Sequence, residues 1–213
     1  MVGYSFMKKI SQILKNNIKY IVGIILIIIG LIVYLKPKYE TKRIKEKENS
    51  QIEEYIRGQI DDTYIPYDNN INKIDDIKYN YYMVIEIPKI KLKKGLYNKN
   101  SKYNSINYGI EILKESEMPN IENSNLILAS HSGNSSISFF KNLKQLNIGD
   151  EVYIYYNNIK YKYKINDYYS KTKDGTININ NSIDNTIYLI TCVDDYSHLI
   201  YTGILNEKEI IND

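Results

Sequence analysis

One cysteine, two histidines and no tryptophan occur in 213 residues, and each scarcity excludes something. The single cysteine, Cys192, cannot form an intramolecular disulfide, so cysteine usage leaves the redox compartment open. A working thiol here would also have no resolving partner in the chain. One cysteine with two histidines is a poor zinc set, and no carboxylate cluster has calcium-loop spacing, so no metal is expected. The net charge of +3 is too mild for a nucleic-acid footprint, and lysine is dispersed along the chain, which argues against a nucleic-acid partner. The 23 tyrosines fall mostly in alternating, strand-like runs and read as compositional bias, not as a base-stacking platform. Arginine is as scarce as histidine: only Arg43 and Arg57 occur. No repeat of fixed period stands out.

What is present begins with an apolar run. Residues 21–35 (IVGIILIIIGLIVYL) contain no charge, and Ile18 and Tyr20 extend the run past Lys19. At about 1.5 Å per residue the segment spans roughly 22 to 27 Å, so Lys19 and Lys36 would snorkel to the surfaces of a membrane. The run ends in Val33-Tyr34-Leu35, without the small-x-small pattern of a peptidase site, which favours an uncleaved anchor over a signal peptide. Lysine and arginine flank both sides, so charge does not set the orientation, although a large domain can translocate despite nearby charge. The expected division is a short tail at 1–17, a transmembrane anchor at 18–36, a charged stalk and linker at 37–80, and one domain at 81–213. That length suits a single domain with an appendage.

From Tyr81 the pattern changes to short runs of period two. Residues 82–87 read as a strand closed by Pro88, and 107–112 as a weaker one. Residues 125–129 form an apolar, central strand, and 137–146 a short helix or turn. Residues 151–156 and 159–165, joined by Asn157-Asn158, form the clearest hairpin. Strands at 186–192 and 199–205 complete the set. About eight strands with little helix argue for an all-β closed barrel.

Two of the strand-like runs end in chemistry. Asn125-Leu126-Ile127-Leu128-Ala129-Ser130 leads to His131, and Thr186-Ile187-Tyr188-Leu189-Ile190-Thr191 leads to Cys192. Taken singly, a free cysteine is usually a small buried hydrophobe and a strand-end histidine is structural. Together they are the two side chains that make a thiolate nucleophile and its proton carrier. Asp194 and Asp195 follow the cysteine, where carboxylates are usually solvated loop residues. Ser130 and Ser132 suit backbone turns better than nucleophilic attack.

These motifs resemble, in order, those of the sortases, membrane-anchored cysteine transpeptidases of Gram-positive cell surfaces. Ile85-Glu86-Ile87-Pro88-Lys89-Ile90 is similar to the family's first strand. Leu128-Ala129-Ser130-His131 is similar to the strand that delivers the catalytic histidine, and residues 140–150 to the segment before the central hairpin. Leu189-Ile190-Thr191-Cys192 resembles the Thr-Leu-x-Thr-Cys motif, with Tyr188 where the first threonine falls. The resemblance implies a sortase-type β-barrel with an extracellular catalytic domain and no cofactor. Cys192 would cleave a sorting signal of the Leu-Pro-x-Thr-Gly type as a thioacyl intermediate, with His131 as its partner and Thr191 against the substrate. The implied partners are secreted surface proteins, an amine of peptidoglycan or a pilin, and membrane lipid.

One departure concerns the strand after the cysteine, where sortases carry an arginine. Aligning Ser197-His198-Leu199-Ile200-Tyr201-Thr202-Gly203 with that strand puts His198 in the arginine's place, as a substitute donor or as a plain strand-edge histidine. A histidine donates to an oxyanion but lacks the arginine's fork of donors. Two other readings remain beside an active sortase: a sortase-like module that binds sorting signals without turning them over, and an unrelated membrane-tethered Cys-His peptidase.

Overall fold

The computed structural model describes residues 2–58, 81–173, 179 and 183–211, with side chains from residue 17 onward. The linker expected within 59–80 lies outside the described residues. The chain divides into two compact units, Met1–Asn49 and Ser50–Asp213.

The first unit is helical, the major part of α1 (Val2–Ile56). Its residues from Asn17 on form a helix long and apolar enough to cross a membrane, with none of the apolar window buried in protein.

The second unit is built on eight strands. They are β1 (Met83–Ile87), β2 (Leu92–Leu96), β3 (Glu111–Ile112), β4 (Asn125–Ala129), β5 (Glu151–Tyr156), β6 (Ile159–Thr172), β7 (Thr186–Cys192) and β8 (Ser197–Ile210). Their order in a single sheet is β2-β1-β5-β6-β8-β7-β4-β3. All neighbours are antiparallel except β4 and β7, which run parallel. The sheet curls into a nearly closed barrel around one core, in which Ile85, Ile154, Tyr163, Leu128 and Leu189 from five strands meet Phe140 and Leu143. The all-β barrel expected from the sequence is therefore the fold.

Local chemistry explains the strand ends. Pro88 cannot donate to a ladder and opens a 3-10 turn, Pro88–Ile90, after which Lys91 takes φ 53 and the chain returns as β2. Gly95 of β2 leaves room for a ring: a Cβ there would lie 2.2 Å from Tyr81 Cδ1. Asn157 and Asn158, at φ 49 and 56, supply the two positive-φ residues of a tight hairpin whose twist matches its strands. At the short edge strand β3, Asn104 occupies the place of a neighbouring strand. Its Oδ1 accepts from Ile112 N at 2.8 Å and its Nδ2 donates to Ile112 O at 2.9 Å, which blunts the edge.

Residues 50–56 of the expected stalk pack with the barrel unit. Ile52, 1% exposed, joins Tyr81, Val84 and Tyr155 in a second apolar cluster. Tyr55 Oη donates to Tyr82 O at 2.7 Å, and Lys93 pairs with Glu53 at 2.7 Å.

Candidate active site

Side chains alternate along β7. Ile187 and Leu189 enter the barrel core, whereas Tyr188 and Ile190 face outward into a third cluster with Ile127 and Ile200, flanked by Ala129 and Tyr169. Cys192 has the parity of the outward set. It thus ends its strand over an apolar floor on the outer face, half-buried.

The neighbouring strands fix what surrounds it. In the parallel pair, Ile127 lies opposite Tyr188 and Ala129 opposite Ile190, so the next outward position, His131, follows beside Cys192. Three hydrogen bonds stitch these strand ends together. Ser130 N donates to Ile190 O at 3.2 Å, Thr191 Oγ1 to Ser130 O at 2.8 Å, and Ser132 Oγ to Cys192 O. Ser130 Oγ donates in turn to Gly109 O at 3.0 Å, and Phe140 N to His131 O at 3.1 Å. The backbone on both sides of His131 is therefore fastened, while no hydrogen bond joins its ring to Cys192 among the described residues.

On the other side, β8 places His198 directly opposite Cys192, with Nδ1 4.0 Å from Sγ. The turn between them is held by Asp194. Its Oδ1 accepts from Tyr196 N, Ser197 N and Ser197 Oγ, each at 2.7 Å, while Val193 N donates to Ser197 O at 3.0 Å. The Ser197 hydroxyl, and after it the Tyr196 amide, hold the Asp194 carboxyl below the usual aspartate range. A carboxylate engaged in this way fixes the start of β8, and so the position of His198.

The structure thus brings Cys192 and His198 into contact and sets His131 at the adjoining strand end. Thr191, proposed from the sequence for substrate, is 4% exposed and points its hydroxyl at Ser130 O, a strand-to-strand tie. The Asp194 turn, as a positioning device, was not among the features expected from the sequence. The signal for it was an aspartate three residues before a serine at a strand start, a pairing that closes side chain to backbone.

A family model described as Sortase domain matches residues 85–203, from within β1 into β8. The chain belongs to the sortase family and is a cysteine transpeptidase, with its one cysteine inside the matched segment. Among curated proteins it is similar to Sortase A of Staphylococcus aureus (strain NCTC 8325 / PS 47). Identity is 25% over 199 residues, covering 92% of this chain and 94% of that protein. Among solved structures it resembles sortase A of Listeria monocytogenes, with a TM-score of 0.53 at 19% identity over 61% of this chain and 89% of that one. Sortase C1 of Streptococcus agalactiae gives a TM-score of 0.54 at 21% identity over 76% of this chain and 90% of that one. The two structural likenesses carry the fold. Membership of the family carries the reaction type, transpeptidation in cell-wall anchoring, with sorting-signal substrates and amine nucleophiles.

Proposed function

We propose that this sortase is held in the membrane of a Gram-positive cell by α1, with its barrel outside. There it cuts a sorting signal of the Leu-Pro-x-Thr-Gly type and passes the surface protein to an amine of peptidoglycan or of a pilin. The observation that supports this best is the position of Cys192, half-buried on the outer face of β7 with His131 and His198 on either side.

The chemistry follows from those neighbours. The Cys192 thiolate attacks the scissile carbonyl carbon, and the π electrons move to the oxygen as an oxyanion. Collapse of this intermediate re-forms the carbonyl and breaks the C–N bond. The leaving amine takes a proton from the His131 imidazolium, and a thioester on Sγ remains. The thioester retains acyl-transfer energy, so an incoming amine competes with water. Neutral His131 accepts a proton from that amine as it attacks, and departure of Sγ as a thiolate breaks the C–S bond and restores the starting thiolate–imidazolium pair. His198 is within reach of the developing oxyanion as a donor, and backbone N–H groups near Cys192 share that load. Thr191 acts on substrate only indirectly, by aligning the two strand ends.

The test is to incubate the full chain in detergent micelles with a panel of quenched sorting-motif peptides and an oligoglycine amine. The expected result is a thioacyl adduct on Cys192 by mass spectrometry, together with an amine-linked product. Peptide binding with neither adduct nor product, across the panel, would overturn transpeptidation in favour of a sortase-like binding module.

A further inference from the structure

The cross-strand register extends the site by one more strand. His198 faces Cys192 on one side and Lys171 of β6 on the other. Directly opposed residues of an antiparallel ladder point to the same face. The next row down obeys this rule, because Tyr169, Ile200, Ile190 and Ala129 share the outer apolar cluster. One row up, His131, Cys192, His198 and Lys171 therefore stand in a line above that floor. Lys171 is half-buried, and Ser170 Oγ, beside it, donates to His198 O at 3.1 Å, which ties the two strands at this level.

We infer that Lys171 is a positioning residue that acts through charge, stabilising the Cys192 thiolate and the reaction's oxyanion from the third strand of the row. The inference rests on the proposed role of Cys192 as nucleophile. Of the four residues in the row, Lys171 is the one lysine, a compact ammonium on a flexible stem. No arginine follows Arg57 in the chain, so no guanidinium from the barrel strands supplies that charge. Two strand spacings, about 9.5 Å, separate the backbones at Lys171 and Cys192, and the four-carbon stem lets Nζ shorten the gap across His198.

Among the described residues, the other charges near the thiol are carboxylates and one further lysine. Glu111 of β3 lies one row below His131 and accepts from Ile106 N at 3.2 Å. Asp167 of β6 lies two rows below, across from Thr202. In the β7–β8 turn, Asp194 is bound to Ser197 and Tyr196, Asp195 is exposed, and Lys173 bears on Asp194. These carboxylates disfavour a thiolate, and Lys171 opposes them from within the row.

Because Cys192 is the only cysteine, its alkylation by iodoacetamide reads the thiolate directly and needs no knowledge of the substrate. The rate is measured against pH on the full chain in micelles, for wild type, Lys171→Met, Lys171→Gln and Lys171→Arg. For unit charges about 9 Å apart, screened nearly as in water, the midpoint of the profile moves toward alkaline pH by roughly 0.3 to 0.7 units in the Met and Gln variants. Alkylation at pH 7 is then about two- to five-fold slower, and Lys171→Arg restores it. Added salt at about 1 M narrows the difference, because the interaction is screened. Coincident profiles in the folded Met and Gln variants, or an Arg variant that behaves like Met, overturn the inference. A shifted profile in a protein that transfers no peptide supports the role of Lys171 and overturns the proposed reaction alone.

Discussion

The two ends of β7 are built to opposite plans. At its base, Asn185 is buried, with Nδ2 2.8–2.9 Å from Pro119 O, Ile121 O and Ser124 Oγ, and Oδ1 accepting from Asn123 N at 2.9 Å. At its tip, Cys192 is half-buried, and its sulfur meets a single ring nitrogen at 4.0 Å. The base fixes the strand because every polar atom of one side chain is satisfied where water is excluded. The tip keeps polar groups with spare capacity beside solvent, as the proposed acyl transfer requires. Reactivity and rigidity occupy opposite ends of one strand, and the backbone ties from Ser130, Thr191 and Ser132 transmit the rigidity without immobilising the sulfur.

Mutations at the two ends should therefore separate into rate effects and stability effects. The largest expected change is at the tip: His131→Ala lowers kcat/KM for peptide transfer about 100- to 10,000-fold, the range for a lost general acid–base. His198→Ala costs about 100-fold as a lost oxyanion donor, and His198→Arg recovers activity. Steady-state kinetics on both variants checks the ranking. If His198→Ala is the more damaging, the two histidines exchange roles, and the 4.0 Å contact marks the proton carrier. At the base, Asn185→Ala should destabilise the barrel by about 2 to 3 kcal/mol, because buried carbonyls and an amide lose their partner. The folded fraction should keep wild-type kcat/KM, as read by denaturant titration alongside assay. A large rate loss without a stability loss would erase the distinction between the ends. The smallest effect belongs to Asp194→Ala. Because the folded protein holds this carboxyl below its ordinary range, its stabilisation is fully present above the ordinary aspartate range, about pH 4, and is lost as pH falls through the lowered folded value. The gap in melting temperature between wild type and Asp194→Ala should accordingly be open at neutral pH and close on acidification.

Much of this could be read from the sequence where local chemistry decides the backbone. The Asn157-Asn158 turn announced its hairpin because positive φ is tolerated by few residues. The runs ending at Ala129 and Cys192 were apolar enough to mark central strands, and the cysteine and histidine at their ends marked the candidate site. β2 was not seen. Leu92-Lys93-Lys94-Gly95-Leu96 has no alternation, and what makes it a strand is a tertiary fact, its antiparallel pairing with β1, where Gly95 leaves room for the ring of Tyr81. The row through Lys171 was hidden for a different reason. Between Lys162 and Lys171, β6 shifts register twice against β8, at Lys162/Tyr163 and at Ile165/Asp167. The first shift passes over Asn206 of β8 and the second over Asn166 of β6. That one extra residue in β6 turns its odd positions from the core, where Tyr161, Tyr163 and Ile165 lie, to the outer face of Tyr169, so a reading of period two along β6 sends Lys171 inward, away from Cys192.

The seating of Ile52 against Tyr81, Val84 and Tyr155 bears on how a soluble form of this enzyme should be cut. A fragment starting after Gly58 removes every apolar residue of α1. It would also strip a fully covered isoleucine and the Tyr55 hydroxyl from the outer faces of β1 and β5, leaving a sticky tyrosine-rich wall. Truncation should instead fall before Ser50, which discards the apolar stretch and retains the turns of helix that serve the barrel as a cover.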